Sequence, residues 1–555
     1  MTLMVRAGRW RPTWKPGSPC GSRQGPMAAE RWITALPSGA LHRAGARAGW
    51  RDVGQTLASS ASALAALAPR AMRPLDVFIY NVYFTSFALA LVYLYAVAVT
   101  VSHPRHLVPG VLLAGILAVF PVAAYALLSV RIPRAGGDYA YVGQVLHPAL
   151  GFLCSWNWAI WLCFWIGFGA YSFPTVGLRG VMTALALVLG RPDFLRGSAW
   201  LDRPGSTLLL GTGVILGFGV VASLGIGLFL RIQRWTFLLA TSAVLVLAGS
   251  LATTDQAQFR ARFDALIRGA VGVPQAYDIL TRRAPTPTRP DGSVLTVVPA
   301  AFLVLPWTVG TTFITPELKD FRRNQPLGML SALGAVTLAT AGLGGLLVRT
   351  TGSEFLTALV SGAGEELGIP VRPYFHDLVF LLLDHPVTFI VAALGFLCLG
   401  WMYLAQNMIS NARILMVWAH DGLIPQALGE VHPSLHTPWR GILAVCAASE
   451  VFLVLLCYTP YLHVVSSILA LTLSALMVSV SAVILPIRRP YLSAAEFPCL
   501  PLVGVLGTAS LVLVDGYYLL DPRYGARNAE SLLAVGGVLA LGLAYWTWRS
   551  WCRTR

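Results

Sequence analysis

The chain has 555 residues, of which 56% are hydrophobic and 12% are charged. Soluble proteins average about 45–50% apolar and about 25% charged residues. The composition therefore excludes a soluble globular enzyme, a disordered chain and a disulfide scaffold, and it indicates an all-α polytopic membrane protein. The formal net charge of +16 does not point to nucleic acid, because the basic residues gather in an N-terminal tail and at the ends of apolar segments.

The tail, residues 1–73, carries 11 basic residues against two acidic ones and has no apolar run long enough to span a membrane. One interpretation is an Arg-rich targeting peptide. The other is that translation begins at Met72 or Met27, so that the preceding residues reflect a wrongly assigned start or form a disordered arm. The second interpretation is favoured, because Met72 leads directly into the first apolar run. No function is assigned to the tail.

Twelve apolar runs, bounded by charged residues, Pro or Gly, predict about 12 transmembrane helices. They cover residues 76–101, 107–130, 149–175, 206–226, 229–250, 294–316, 327–348, 387–418, 440–459, 463–485, 500–520 and 531–548. The third run continues past Pro174 into residues 176–189, so a broken or lengthened third span is expected. The Arg and Lys residues of the short loops place both termini in the cytoplasm, with the chain in the plasma membrane.

A polar segment after the second run has the features of a tight turn. Pro133 ends the helix, Gly136 and Gly137 permit a sharp bend, and Asp138 is expected to be the N-cap of a helix over residues 139–146. Two further polar segments follow the sixth and eighth runs. They read PELKDFRRNQP at residues 316–326 and NARILMVWAHDGLIP at residues 411–425.

These three segments, in this order, resemble the amino acid–polyamine–organocation (APC) family of permeases. There the corresponding stretches read Pro-x-Gly-Gly-x-Tyr-x-Tyr, Glu-x-Lys-Asn-Pro-x-Arg-Asn-x-Pro and Ser-Arg followed, after seven intervening residues, by Asp-Gly-x-x-Pro. The resemblance covers about residues 74–485. The sequence departs from the family pattern at three places. Residues 78–89 lack the family's Gly-Ser-Gly-Ile-Phe, and Asp320 and Phe321 stand in place of Asn-Pro. Span 6 lacks the family's Gly-Phe/Trp-Glu.

The resemblance implies a leucine-transporter-like fold of two inverted five-helix repeats plus two extra helices. Residues 74–250 would form spans 1–5, residues 251–293 an extracytoplasmic loop, and residues 294–486 spans 6–10. Residues 487–555 would form spans 11 and 12 and a cytoplasmic tail. In such folds the substrate binds near the bilayer midplane, beside interrupted stretches of spans 1 and 6.

Candidate substrate-binding residues lie in those two spans. Pro306 and Gly310 predict a break in span 6, and the concentrated polarity of span 1 supplies the other side of the site. The candidates are Asn81, Thr85, Ser86, Trp307, Thr308, Gly310 and Thr311. The alternative is that the hydroxyl groups bond back to the preceding turn or join neighbouring helices. Trp307 fits an aromatic gate and core packing equally well.

Aromatic residues form a stripe in the third span. Trp161, Trp165 and Phe168 fall at i, i+4 and i+7, with Trp158 nearby. Core packing or a place in an interfacial aromatic belt is favoured over substrate stacking.

Charged residues at the predicted cytoplasmic ends suggest a latch of ion pairs that breaks during alternating access. Its candidate members are Glu317, Lys319, Arg322, Arg413 and Asp421. Near the middle of the ninth span, Glu450 is a candidate for ion coupling, because a charged side chain inside a membrane is costly and often functional. A protonated carboxyl held by a neighbour and an oligomer contact are the alternatives. Asp76 fits an interfacial position or a gate.

The resulting hypothesis is a secondary active transporter, not an enzyme, for an amino acid or a related small amine or zwitterion. A proton or sodium gradient would drive it by alternating access, without a cofactor. Its partners would be a small solute and the lipid bilayer, not nucleic acid. The alternatives are a sensor or receptor that keeps the permease fold without transport and, less favoured, an exchanger of polyamines, since spans 1 and 6 lack an obvious acid at the site.

Overall fold

The computed structural model of the chain describes residues 71–284, 292–459, 464–488, 498–524 and 528–554. Eleven helical segments in these ranges are long and apolar enough to cross a membrane. The first predicted span is divided between two shorter helices. With helices throughout and no strand among the described residues, the all-α polytopic membrane fold is confirmed.

The helices are numbered here in chain order. The first half contains α1 (Pro74–Phe84), α2 (Phe87–Val101), α3 (Leu107–Arg131), α4 (Asp138–Val145), α5 (Pro148–Ser172), α6 (Arg179–Leu189), α7 (Pro192–Leu201), α8 (Pro204–Ser223), α9 (Ile226–Thr253), α10 (Gln256–Val271) and α11 (Ala276–Arg282). The second half contains α12 (Val294–Phe302), α13 (Phe321–Thr351), α14 (Ser353–Val360), α15 (Ala363–Glu366), α16 (Phe375–Val379), α17 (Pro386–Trp401), α18 (Tyr403–His420), α19 (Trp439–Tyr458), α20 (Val464–Arg488), α21 (Leu500–Leu520) and α22 (Ala529–Thr554).

The third span is lengthened rather than broken. A π-helical turn, Phe173–Leu178, joins α5 to α6, so that one helical segment runs from residue 148 to residue 189. Pro174 lies in this turn, where its missing N–H is tolerated because the hydrogen-bond register changes. The predicted loop 251–293 also contains structure, namely the helices α10 and α11.

The predicted N-cap role of Asp138 is wrong. The cap position of α4 is occupied by Gly137, whose φ of 52° lies in the region that favours glycine, and Asp138 is the first helical residue. Its side chain turns into the protein and is fully buried.

Helix α5 is the centre of the bundle. It contacts α8, α18, α19, α20 and α22, while α13 packs against α1 and α3. Its inward side chains are large and buried, among them Phe152, Trp158, Trp161 and Phe164. The core thus surrounds the third span, and the broken first and sixth spans lie beside it.

Candidate functional site

The first span is interrupted at Thr85 and Ser86, between α1 and α2. Ser86 has a φ of 56°, in the left-handed region that non-glycine residues rarely occupy. The Thr85 hydroxyl donates to the carbonyl of Val82 at 2.7 Å and so closes the end of α1. Because α2 begins a new helix, its first amides have no partner within that helix, and the last carbonyls of α1 are in the same situation.

The sixth span is interrupted after α12. Two short 3-10 segments follow, Leu305–Trp307 and Gly310–Glu317, and Pro306 cannot donate a backbone hydrogen bond within the first of them. Gly310 lies directly against span 1. A Cβ atom at this position would come within 2.4 Å of the Phe84 ring, so only glycine allows this approach.

One side chain joins the two interrupted spans. The Oδ1 atom of Asn81 accepts the backbone N–H of Thr311 at 3.1 Å, and the Asn81 Nδ2 atom donates to the Val77 carbonyl at 3.0 Å. The Thr311 hydroxyl lies 3.0 Å from Nδ2 and 3.2 Å from Oδ1 of Asn81. Asn81 therefore satisfies a backbone amide that the unwound segment of span 6 leaves free.

A small cavity of about 30 Å³ lies between the two interruptions, and its walls come from spans 1, 3, 6, 8 and 10. The lining residues are Phe84, Thr85, Ser86, Trp158, Leu162, Trp165, Leu303, Trp307, Asn407 and Leu471. This volume holds about two water molecules, whereas small-molecule sites usually enclose roughly 300 Å³ or more. A substrate therefore requires the lining side chains to move apart.

Four of the ten described lining residues of the cavity are aromatic, three are leucines and three are polar. The rings of Trp158 and Trp307 meet edge to face with centroids 5.7 Å apart. The hydroxyl groups of Thr85 and Ser86 and the amide of Asn407 supply the polarity, and the Asn407 Oδ1 has no hydrogen-bond partner within the described part of the chain. None of the described lining residues is charged, so the backbone dipoles at the ends of the interrupted helices face the cavity without a neighbouring side-chain charge in its lining.

Comparison with known protein families assigns most of the chain to a family. The family model described as amino acid permease matches residues 78–526. The chain belongs to this permease family. A known protein with similar sequence is the methylthioribose transporter of Bacillus subtilis (strain 168), at 22% identity over 420 residues, which cover 74% of this chain and 80% of the relative. The protein is accordingly a multi-pass membrane transporter with a small-molecule substrate.

The structure brings some of the predicted binding residues of this permease to the cavity and leaves others behind it. Thr85, Ser86 and Trp307 line the cavity. The remaining predicted residues, Asn81, Thr308, Gly310 and Thr311, are buried in the wall behind it. Among the described residues the Thr308 hydroxyl has no partner, so it remains available to a solute or to water after a rearrangement.

Sequence reasoning missed several lining residues of the permease. Trp158 and Trp165 line the cavity, although packing was favoured for their stripe. Leu162, Leu303 and Leu471 give no signal in a sequence that is apolar throughout. Asn407 does give one, because an amide inside the apolar eighth span calls for a partner.

The predicted latch of the permease is reduced to one buried ion pair. The guanidinium of Arg413 donates to Oε1 of Glu317 at 2.8 Å, with both side chains nearly inaccessible to solvent. The backbone carbonyl of Glu317 also accepts from the N–H groups of Ala71 and Met72. This pair therefore holds the start of span 1, the end of span 6 and span 8 together.

The other predicted latch residues are Lys319, Arg322 and Asp421. The side chains of Lys319 and Arg322 are exposed. Asp421 accepts the hydroxyl of Tyr139 at 2.5 Å, which connects span 8 to α4 instead.

Two further carboxyl groups have partners at the edges of the bundle. Asp76 is buried and forms a two-pronged contact with Arg234 of α9, at 2.6 and 2.8 Å. Asp76 is thus paired, and both its interfacial position and its role as a gate stay predictions. Glu450 is half-buried between α19 and α8, where it accepts the Thr212 hydroxyl at 3.0 Å. It does not reach the cavity.

Proposed function

We propose that this permease carries a small zwitterionic amino acid with an uncharged side chain across the membrane by alternating access, driven by an ion gradient. The arrangement that supports this is the meeting of two interrupted helices at an aromatic cavity whose described lining has no charged side chain. A carboxylate suits the amides at the start of α2. An ammonium group suits the remaining acceptor capacity of the carbonyls at the end of α1, two of which already accept hydrogen bonds from Thr85 and Ser86. The aromatic walls then receive an apolar side chain.

This assignment is tested by uptake into proteoliposomes. The panel contains labelled methionine, leucine, phenylalanine, arginine and putrescine, each with and without an imposed proton or sodium gradient. Accumulation of at least one neutral amino acid, with little arginine or putrescine, supports the proposal. Preferential uptake of putrescine would overturn it in favour of a polyamine carrier, and binding of a neutral amino acid without any transport would identify a sensor.

A neutral thioether sugar is a second candidate substrate. The relative in Bacillus subtilis is named for methylthioribose, and an uncharged aromatic cavity accommodates a thioether and the apolar face of a pentose. Methylthioribose therefore belongs in the same uptake panel. Its transport in preference to every amino acid would replace the zwitterion in the proposal and leave the carrier mechanism in place.

We also propose the inverted-repeat arrangement, with residues 74–250 and 294–486 as the two repeats, and a plasma-membrane location with cytoplasmic termini. Cys552 is exposed near the end of α22 and reports the side of the C-terminus. In a variant that keeps this cysteine alone, a membrane-impermeant maleimide should label the protein after cells are opened and not before. A single cysteine introduced by Glu365→Cys, at an exposed position of α15, should already be labelled in intact cells.

A further inference from the structure

Asp138 is a buried carboxyl group with one satisfied and one unsatisfied oxygen. It lies at the start of α4, in the connection between spans 2 and 3, and is fully buried. Its Oδ2 accepts the hydroxyl of Tyr125 and the indole N–H of Trp158, each at 2.9 Å. Its Oδ1 has no hydrogen-bond partner in the described ranges of the chain. A buried carboxylate in this position is costly, since half of its acceptor capacity is unused.

No cation compensates this carboxyl among the described residues. Tyr125 faces it from α3, Cys154 from α5 and Tyr141 from its own helix. Arg488 of α20 reaches only the far end of α4, where it donates to the Val145 and Leu146 carbonyls. Asp421, which directly follows α18, accepts the Tyr139 hydroxyl and interacts electrostatically with Arg134. Burial accordingly raises the pKa of Asp138 to about 7.

The carboxyl is one side chain away from the cavity. Trp158, whose indole nitrogen donates to Asp138, has its ring in the cavity wall and packs edge to face against Trp307. A change in charge at Asp138 alters the strength of the hydrogen bond that orients this ring. The position of the ring, in turn, decides how much room the cavity offers a solute.

The same connection contacts the part of span 6 that holds the buried ion pair. The Gly136 N–H donates to the Phe313 carbonyl at 3.3 Å, and the Phe313 ring lies 5.2 Å from that of Trp158. Phe313 belongs to the segment Gly310–Glu317, whose last residue pairs with Arg413. Asp138 therefore lies where the cavity wall, the unwound span and the predicted cytoplasmic end meet.

We propose that the Asp138 carboxyl is the proton-binding site through which this permease couples transport to a proton gradient. This inference rests on the proposed carrier function. The proton binds to the free Oδ1, while Oδ2 keeps both of its hydrogen bonds, so the neutral form fits the closed packing around Trp158 and Phe313. Loss of the proton leaves a buried charge that is relieved when the Gly310–Glu317 segment moves and water enters. Proton and solute thus bias the same equilibrium.

The decisive variant is Asp138→Asn, which imitates the protonated carboxyl and cannot titrate. Two quantities are measured in proteoliposomes: exchange of solute between the two sides without a gradient, and accumulation driven by an imposed proton gradient together with proton uptake reported by an internal dye. The variant should keep exchange within about twofold of the wild type and lose at least about tenfold in proton-driven accumulation and in solute-dependent proton uptake.

A matched control is Asp515→Asn. Asp515 is a second buried carboxyl, in α21, and it accepts the hydroxyl of Thr472 in α20 at 2.5 Å. It is not among the described residues that line the cavity. This variant should accumulate solute like the wild type. Full proton-driven accumulation in Asp138→Asn, or equal losses in both variants, would overturn the assignment.

A milder variant covers the case in which Asp138→Asn does not fold. Tyr125→Phe removes one donor to the carboxylate, so the pH at which proton-driven uptake is half-maximal should rise by about one unit. An unchanged pH profile contradicts the inference. If the wild type exchanges solute but uses sodium, this inference fails while the carrier function stands. If the wild type exchanges no solute, the carrier proposal itself fails.

Discussion

Asn81 of span 1 and Thr311 of span 6 are joined side chain to backbone, with the Asn81 Oδ1 3.1 Å from the Thr311 nitrogen. Both residues are buried, and each lies beside the interruption of its own span. A backbone amide that has left a helix inside a membrane must find an acceptor, and Asn81 provides one. The two interruptions are therefore held together by the protein itself, before any solute binds.

Removing this link should impair transport more than folding. Asn81→Leu leaves the Thr311 amide without its acceptor, at a cost of about 1–3 kcal/mol. We expect this cost to fall on the transporting conformation, which corresponds to a loss of uptake of about tenfold. Uptake and thermal unfolding are measured together. The control is Thr241→Val, on the exposed face of α9, where the hydroxyl bonds only within its own helix. Wild-type uptake in Asn81→Leu would show that the link is dispensable.

The close approach of the two spans depends on Gly310. In Gly310→Ala the added methyl group meets the Phe84 ring at 2.4 Å, so the interruptions must separate. Solute exchange should fall by at least about tenfold while the protein still reaches the membrane. Gly213→Ala, on α8, meets no atom within 4 Å in the described structure and should behave like the wild type. Equal activity of both alanine variants would contradict a functional role for this close approach.

The ion pair between Glu317 and Arg413 should be important for stability, because breaking a buried pair leaves one charge uncompensated. Glu317→Gln is expected to cost about 3–5 kcal/mol, seen as a clear fall in the thermal unfolding midpoint. The double variant Glu317→Arg with Arg413→Glu should recover part of the loss. Glu430→Gln removes an exposed partner of Arg440 and should cost less than about 1 kcal/mol. Unaffected uptake and stability in Glu317→Gln would exclude a latch.

Asp377 gives the permease a pH-dependent stability. It is buried beside His376 in α16, and burial raises the pKa of its carboxyl above the ordinary value. The folded state therefore binds a proton more tightly than the unfolded state. At pH values below the ordinary carboxyl pKa, the contribution of this protonation to the free energy of unfolding is fully present. It is lost as the pH rises from that ordinary value through the higher pKa of the folded protein.

The measurement is the thermal unfolding midpoint in detergent as a function of pH. The wild type should lose stability over that interval, and Asp377→Asn should lose less. Asp384→Asn removes an exposed carboxyl and should leave the profile as it is. Identical profiles for wild type and Asp377→Asn would show that Asp377 does not titrate in this range.

The fold could be predicted from the sequence because its signals are large. A membrane span needs about 20 apolar residues whatever its neighbours are, so apolar runs located the helices. Pro306 and Gly310 indicated the interruption of span 6 because each residue disfavours a continuous helix. The interruption of span 1 was less evident, since Ser86 adopts there a conformation for which the sequence offers no glycine.

The site was only partly predictable because its walls come from five spans. Which side of Trp158 faces a cavity depends on how α5 sits against spans 1 and 6, and an apolar sequence does not encode that orientation locally. Asp138 was assigned to a helix cap because its neighbours have turn chemistry. Its true partners, Tyr125 and Trp158, are 13 and 20 residues away and meet it only in the folded chain.

The most direct test of the carrier mechanism fills the cavity. Leu471→Trp places an indole in the cavity wall, and the control Leu443→Trp makes the same change on the outward face of α19. Solute exchange in proteoliposomes is compared between the two variants. We expect exchange to fall by at least about tenfold in Leu471→Trp and to stay within about twofold of the wild type in Leu443→Trp. Undiminished exchange in Leu471→Trp would mean that the solute travels by another route.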